Sequence, residues 1–444
     1  MSGGGGKPQT SYAVMASAMA LLLGLMWLLA HRALHGHDTL LGALGFLLLA
    51  GTLAGELLEP LKLPHLTAYL IAGLVAGPHA LGLVGHHAVE EMTFVNSLAL
   101  ALIALAGGAE LKLEVLRQEF RSISIGNALH IVIGAPVIAL VFYLARPMIP
   151  FARQLTPSAL LGVALLWGAT AVSRSPAATL AILSQTRAKG PLANNVLAFI
   201  MLSDAVVAVF FAVTLVIAKP MIDPNLEFSS REIYALGHEL LGSVAVGTTM
   251  GLLLAAYMRL IGAQMQLVLL VLGFVLWETL RYLHFDTLLT FLVAGFVVQN
   301  LSRQGPAFLH AVERLSSVVF VLFFTSAGAH LDLPLLGKMW PVALLLAGSR
   351  AVVTVATSKL SGRVAGDHPM VKKWGWSPLI SQAGLTLGLV IIMERAFPAF
   401  GADLRSLGVA TVAINEMVGP VLFKLGLDRA GETSQSPEPT RAAG

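Results

Sequence analysis

The sequence predicts an all-α polytopic membrane protein of about fourteen transmembrane helices. Three observations carry that prediction. The 444-residue chain is 56% hydrophobic and only 12% charged, against roughly 25% charged residues in a soluble domain. Apolar runs long enough to cross a bilayer recur from end to end, joined by short polar connections. Lysine and arginine gather in alternate connections, as they do when one side of a membrane protein faces the cytoplasm. There are no cysteines, which excludes disulfides, thiolate catalysis and cysteine-ligated metal centres. The net charge of +4 is small, and no nucleic-acid signature accompanies it.

The runs lie near 12–31, 39–59, 66–83, 94–112, 123–147, 158–185, 191–218, 236–260, 265–283, 287–302, 315–333, 338–361, 374–395 and 405–427. The first is longer than a signal-peptide core and lacks a small-residue cleavage site, so residues 1–38 are read as a tail and an extra transmembrane helix. Residues 39–428 form the membrane domain, and 429–444 read as a disordered polar tail. With the N-terminus on one side and strict alternation, that side carries about 17 Lys and Arg and the other about 9. Both termini are therefore expected in the cytoplasm. Arg174 and Arg350 belong to neither side, because they fall inside spans.

Two spans are interrupted. The sixth contains TAVSRSP, Thr170 to Pro176. An arginine at bilayer depth is costly, and a proline removes a backbone donor. Both are tolerated where the backbone faces protein or water rather than lipid. The thirteenth span contains Ser381-Gln382-Ala383-Gly384. Each break is serine-led, interrupted by Pro or Gly and followed by an apolar half-helix. Seven spans separate them, which gives opposite orientations in the membrane. Paired broken helices in two inverted halves mark the binding site of a secondary transporter. Pro176, Ser381, Gln382 and Gly384 are assigned to these unwound segments.

Within the seventh span Asp204 has no other charge within ten residues on either side. A lone carboxylate there needs a proton, a cation or an arginine. Competition of a proton and a metal cation for one carboxylate is the chemistry of proton-coupled cation exchange. Ser203 beside it offers a hydroxyl oxygen for a hard cation. Thr170, Ser173, Ser175 and carbonyls of the unwound helix are candidates to complete the shell. Asp204 is also open to a packing role, paired with an arginine. Arg350 is read either as a structural partner of a helix end or carboxylate, or as a resident charge balancing Asp204. Arg174 is read as satisfying carbonyls at a half-helix C-terminus, where a cation is favoured, or as meeting an anionic substrate. Glu416, mid-span beside Asn415, is a candidate partner of Arg350 or Arg174. His130 reads as a satisfied core histidine. No nucleophile–base pair, resident metal site or phosphate loop supports an enzyme, and no cofactor is implied.

From about Leu40 to Gly431 the chain resembles the monovalent cation:proton antiporter superfamily, with a sodium/hydrogen exchanger-like fold. The resemblance rests on LKLPHLTAYLIAGLVAGPHALGLV, LALALIALAGGAELKLEVLR, TAVSRSPAATLAIL, LSDAVVAVFF, VVFVLFFTSAGAHLDLPLL and MVGPVLFKLGLDRAGE, in that order. It implies thirteen helices, inverted repeats, two crossed discontinuous helices and a homodimer. It also implies a mobile core, about 123–218 and 338–427, against a dimerisation scaffold, with elevator-like alternating access. The chain departs from the pattern where many members read Thr-Asp-Pro, since Arg174-Ser175-Pro176 stands there, and only one acidic residue stands at the paired motif of Asp204. A single aspartate with a buried arginine resembles the electroneutral members. No nucleotide-binding regulatory domain is expected in the chain.

The resulting expectation is an integral protein of the cell (inner) membrane that exchanges Na⁺ or K⁺ for H⁺. Two alternatives stay open: a proton-coupled anion or carboxylate transporter on the same fold, motivated by Arg174, and a non-transporting sensor or partner subunit.

Overall fold

The computed structural model describes residues 17, 19–24, 40–58, 60, 63–223, 230–262, 264–283, 285–303, 305–331 and 333–433. The expected N-terminal helix near 12–31 falls largely outside them; of the expected tail, 429–444, residues 429–433 are described, Arg429 and Ala430 closing the last helix, and 434–444 lie outside. The described chain is helical throughout. Its α-helices are α1 (Leu40–Leu58), α2 (His65–Ala76), α3 (His86–Glu91), α4 (Thr93–Glu110), α5 (Leu113–Leu129), α6 (Ala135–Leu144), α7 (Pro157–Ala171), α8 (Pro176–Thr186) and α9 (Pro191–Ile222). They continue as α10 (Ser230–Leu260), α11 (Met265–Leu283), α12 (Thr287–Leu301), α13 (Gly305–Ala329), α14 (Leu333–Ala365), α15 (Pro369–Trp374), α16 (Gly384–Ala396) and α17 (Gly401–Ala430).

Among the described residues six helices are individually long and apolar enough to cross a membrane: Leu40–Leu58, Leu113–Leu144, Pro191–Ile222, Gly237–Leu260, Met339–Ala365 and Gly401–Ala430. The pair Pro369–Ile380 and Leu385–Ala396, bent by 47°, makes a seventh. The count of thirteen to fourteen read from the sequence also includes further runs. Four are apolar helices of 10–17 residues, in α2, α4, α12 and the end of α13. The half-helices α7 and α8, of 15 and 11 residues, together make one more run, and α11, of 19 residues, another.

Local chemistry sets the ends. Thr156 and Ser175 cap α7 and α8 by accepting the amides of Ala159 and Ala178, and a proline follows each cap, where its missing N–H costs nothing. Asp286 caps α12 through the amide of Leu289. A π-turn, His130–Gly134, joins α5 to α6 two residues before Pro136, which cannot donate to the helical ladder. α17 ends at Gly431 in a left-handed conformation, φ 74°. That turn brings the Glu432 carboxylate onto the amides of Leu192 and Ala193, both at 2.8 Å. The first turn of α9 thereby receives an anionic cap, complementary to its dipole.

The chain divides into two compact units, residues 1–99 with 317–333, and residues 100–316 with 334–444. In the first, Phe46, Leu47, Leu83, Val84, Val89 and Met92 form an apolar core. A Cβ added to Gly73 would overlap the Thr325 carbonyl, and one on Gly328 the Leu70 carbonyl, so α2 and the end of α13 touch backbone to backbone. In the second unit Phe142, Trp167, Phe211, Leu346 and Leu404 centre a core drawn from α6, α7, α9, α14 and α17. Here α4 and α12 repeat the close approach, Gly108 on Leu292 and Gly295 on Leu105. Small residues at helix crossings supply the packing that lipid-facing apolar surface cannot. Asn300 ties the same corner, donating to Leu111 O and accepting from Leu113 N.

Gly108→Val is therefore expected to destabilise the protein by about 1–3 kcal/mol. The measurement is thermal unfolding in detergent, with an exposed-position control such as Leu253→Val (66% exposed) expected to stay near wild type.

Candidate functional site

The site is built where the two interrupted helices meet. α7 stops at Ala171, and Val172 to Ser175 form the break before α8. On the other side a 3₁₀ turn, Ser377–Ile380, gives way to Ser381–Ala383 before α16 starts at Gly384. Each break strands carbonyl oxygens that an unbroken helix would have bonded. Arg350, on α14 and 2% exposed, answers both. Its Nε donates to Ala171 O at 2.7 Å and its Nη2 to Ser173 O at 2.9 Å. Its Nη1 donates to Ile380 O at 2.7 Å and Nη2 also to Leu379 O at 2.9 Å. Four of the five guanidinium donors are thus spent on two helix C-termini, where positive charge is favoured.

Polar side chains stitch the breaks together around that hub. Ser173 Oγ donates to Thr170 O at 2.7 Å and lies 2.5 Å from Thr386 Oγ1 of α16. Gln382 Nε2 reaches Thr170 O at 3.2 Å, and its Oε1 accepts from Asn415 Nδ2 at 2.8 Å. Thr170 Oγ1 donates back to Trp167 O at 2.8 Å. Ser381 packs against Gly419 of α17, where a Cβ would overlap its hydroxyl. A cavity of about 10 Å³, lined by Thr170, Arg350, Gln382, Thr386 and Thr411 among others, remains at the junction.

Asp204 stands on α9, within electrostatic reach of Arg174 in the first break. The residue is partly open, while its Oδ1 is buried and accepts no hydrogen bond. Ser203 is fully buried. Arg174, 1% exposed, turns away from the stranded carbonyls. Its guanidinium lies 4.8 Å over the Phe199 ring, a cation–π placement. Its Nη1 stands 3.5 Å from Asn127 Oδ1, and its Nη2 has no hydrogen-bond partner. It interacts electrostatically with Asp204 without closing to an ion pair.

The placement of Arg174 thus differs from the capping role expected of it. Capping of half-helix carbonyls falls to Arg350 rather than Arg174, because α14 delivers its side chain between both breaks. Arg174 projects from the break toward α5 and α9 and is the positive charge acting on Asp204. Glu416 is 5% exposed with Oε1 unpartnered, and the bonds of both arginines go elsewhere. Of the candidate hydroxyls, Ser175 serves as the α8 cap, whereas Ser203 and Ser173 stand among the polar groups of the crossing.

Three further residues were not singled out in the sequence. Asn127 on α5 contacts both Ser203 and Arg174; its signal was a buried amide in the run ISIGNALHIVIG. Thr386 joins the breaks. Asp286 is a second carboxylate whose charge reaches Asp204. His130 bonds Gly126 O through Nδ1 at 2.8 Å and packs edge-on against Phe199. Its Nε2 is unpartnered, and the residue lines a cavity of about 20 Å³ with Ser122, Asn195 and Asp367, enough for a water. At the mouth, Asp367 accepts from Ser122 Oγ at 3.0 Å, and partial burial raises its carboxyl above the ordinary range.

Helices of membrane-spanning length, two broken helices face to face and a carboxylate oxygen left without a donor on α9 define an integral membrane protein built like a secondary transporter. The sequence model of the family described as sodium/hydrogen exchanger, transmembrane, matches residues 44–424, and the chain belongs to that family. Na(+)/H(+) antiporter 1 of Methanocaldococcus jannaschii is 22% identical over 147 residues, 33% of this chain and 32% of the relative. The match thus spans about a third of that curated relative's length. A solved structure of the sodium proton antiporter MjNhaP1 from the same organism, at pH 8, superposes with a TM-score of 0.62 at 18% identity, covering 88% of this chain and 96% of that one. An electron-microscopy structure of MjNhaP1 gives 0.66 at 19% identity with the same coverage. At that identity the likeness is one of fold.

The division of labour between the arginines is testable. Arg350→Gln strands carbonyls at both breaks and is expected to cost about 3 kcal/mol or more of stability. Arg174→Gln removes a poorly bonded buried charge and is expected to leave the detergent melting temperature near wild type. Equal losses in the two variants would contradict the assignment.

Proposed function

We propose that the protein is a secondary-active antiporter exchanging one monovalent cation, Na⁺ or K⁺, for one proton at Asp204. The observation that supports it most is the state of that carboxylate. It is mid-helix, partly open, unbonded at Oδ1 and tied to no arginine. A group placed so can take a proton or a cation in turn. Arg350, with its bonds directed to backbone carbonyls, is not its counterion. That arrangement favours a working carrier over a locked, non-transporting subunit. It also disfavours an anion carrier, since the available arginine already faces Asp204.

The charge balance supports electroneutral exchange. Arg174 and Asp204 sum to zero, and loading the carboxylate with one proton or one monovalent cation adds the same charge. The two loaded forms then differ by no charge when they cross the membrane. Two breaks clamped by one arginine form a unit suited to moving as a rigid piece, which fits elevator-type alternating access. Ser203 is the first candidate for the cation's shell, and Ser173 and Thr170 with the unwound carbonyls are the next. We further read its termini as cytoplasmic, on the charge asymmetry of its connections, and, on its resemblance to the antiporter family, read it as a homodimer of the cell (inner) membrane.

The test is purified protein in liposomes with an acidic interior, following internal pH while Na⁺, K⁺ or Li⁺ is added outside. Wild type is expected to discharge the gradient with its preferred cation, at a rate independent of a clamped membrane potential. Asp204→Asn is expected to fall to the rate of protein-free liposomes. Normal exchange by Asp204→Asn would sink the reading.

A further inference from the structure

The neighbourhood of Ser203 holds more acceptors than hydrogens. Ser203 Oγ lies 2.6 Å from Phe199 O and 2.9 Å from Asn127 Oδ1. A hydroxyl has one hydrogen to give. The shorter contact is the carbonyl four residues back in its own helix, the usual partner of a helical serine. The orientation of Asn127 is fixed independently. Its Nδ2 donates to Ile123 O at 3.0 Å, which turns Oδ1 toward Ser203 and Arg174. Arg174 Nη1 is 3.5 Å from that oxygen, beyond the range of a good hydrogen bond.

Asn127 Oδ1 and Ser203 Oγ, 2.9 Å apart, therefore meet lone pair to lone pair with no hydrogen between them, on residues 4% and 0% exposed. The next residue, Asp204, adds a third buried oxygen without a donor. An amide oxygen, a hydroxyl and one carboxylate, drawn from two helices, are ligands for a small hard cation. Facing them is Arg174 Nη2, a positive group that makes no hydrogen bond of its own.

We propose that Asn127 Oδ1 is a ligand of the transported monovalent cation, and that Asn127 is a specificity-determining residue for which cation and Arg174 compete. The proposal rests on the antiporter reading and names a ligand it lacked. Its consequence is that cation affinity depends on α5 as well as on α9. A second consequence is that an anionic side chain at position 127 would hold both the cation and Arg174 more tightly.

The experiment measures exchange in liposomes at fixed pH against cation concentration, for wild type, Asn127→Leu, Asn127→Asp and Asp204→Asn, with Na⁺, K⁺ and Li⁺. Asn127→Leu is expected to raise the cation KM about tenfold or more, the worth of one oxygen contact to a charge, with a smaller effect on the maximal rate. Asn127→Asp keeps an oxygen in place while strengthening both competitors, and is expected to move KM away from the wild-type value and change the order of preference among the three ions. A packing role predicts neither the change of KM apart from rate nor the change of preference. If Asn127→Leu does not reach the membrane, Asn127→Asp decides alone. KM values and preferences at the wild-type level in the Asn127 variants, with Asp204→Asn inactive, would overturn this proposal and leave the antiporter reading standing. A wild type that exchanges no cation would overturn both.

Discussion

An interrupted helix inside an apolar bundle leaves carbonyl oxygens with neither an intrahelical donor nor bulk water. Two such helices facing one another double the debt, and here a single guanidinium settles much of it. Arg350 donates to Ala171 and Ser173 on one break and to Leu379 and Ile380 on the other. Its planar fork is suited to that task in a way a lysine is not, because several donors must point in fixed directions at once. Its charge is desolvated, but the carbonyl ends of two helices supply the compensating field. The Ser173–Thr386 contact and the Gln382–Asn415 bridge lie around that clamp.

The clamp also explains why the second arginine is free for another role. Once Arg350 has satisfied the half-helix ends, Arg174 is not needed there. Its position in the break sends it toward α5 and α9, over Phe199 and beside Asn127. α9 itself is held at its start by Glu432, through two amide contacts of 2.8 Å. The helix that carries Asp204 is thus fixed near its N-terminus by one carboxylate and flanked along its length by a weakly bonded arginine. Rigidity is concentrated at the breaks and the helix start, and the carboxylate is left without a fixed partner.

Much of this was legible in the sequence because membrane depth makes polar residues expensive. TAVSRSP and the lone Asp204 stand out against their apolar neighbours, and helix-breaking residues mark where the backbone must open. The family and the fold followed from motifs in order. What pattern alone does not reveal is direction. Arg174 and Arg350 are alike as deep arginines, and only the fold decides which reaches carbonyls and which reaches a carboxylate. Glu416 looked like a partner for either, yet α17 holds it apart from both. Asn127 was hidden for a different reason. A neutral amide in a run of small and apolar residues reads as packing, and its meaning appears only when α5 is laid against Ser203. Asp286 reads as an ordinary helix cap, which it also is.

The proposed one-for-one exchange follows from this same asymmetry between the arginines. If Arg350 were the counterion of Asp204, the clamp would have to loosen whenever the carboxylate changed ligand, and the breaks would lose their cap during transport. In the proposed exchange, Arg174 takes that place, and trading a proton for a cation does not require the four carbonyl bonds of Arg350 to break. The cost of changing ligand then falls on one arginine held by a ring face and a long amide contact, both weak enough to yield. A carrier that must alter its site without altering its scaffold needs the two functions on different residues, and this chain separates them by placing one on α14 and the other in the break.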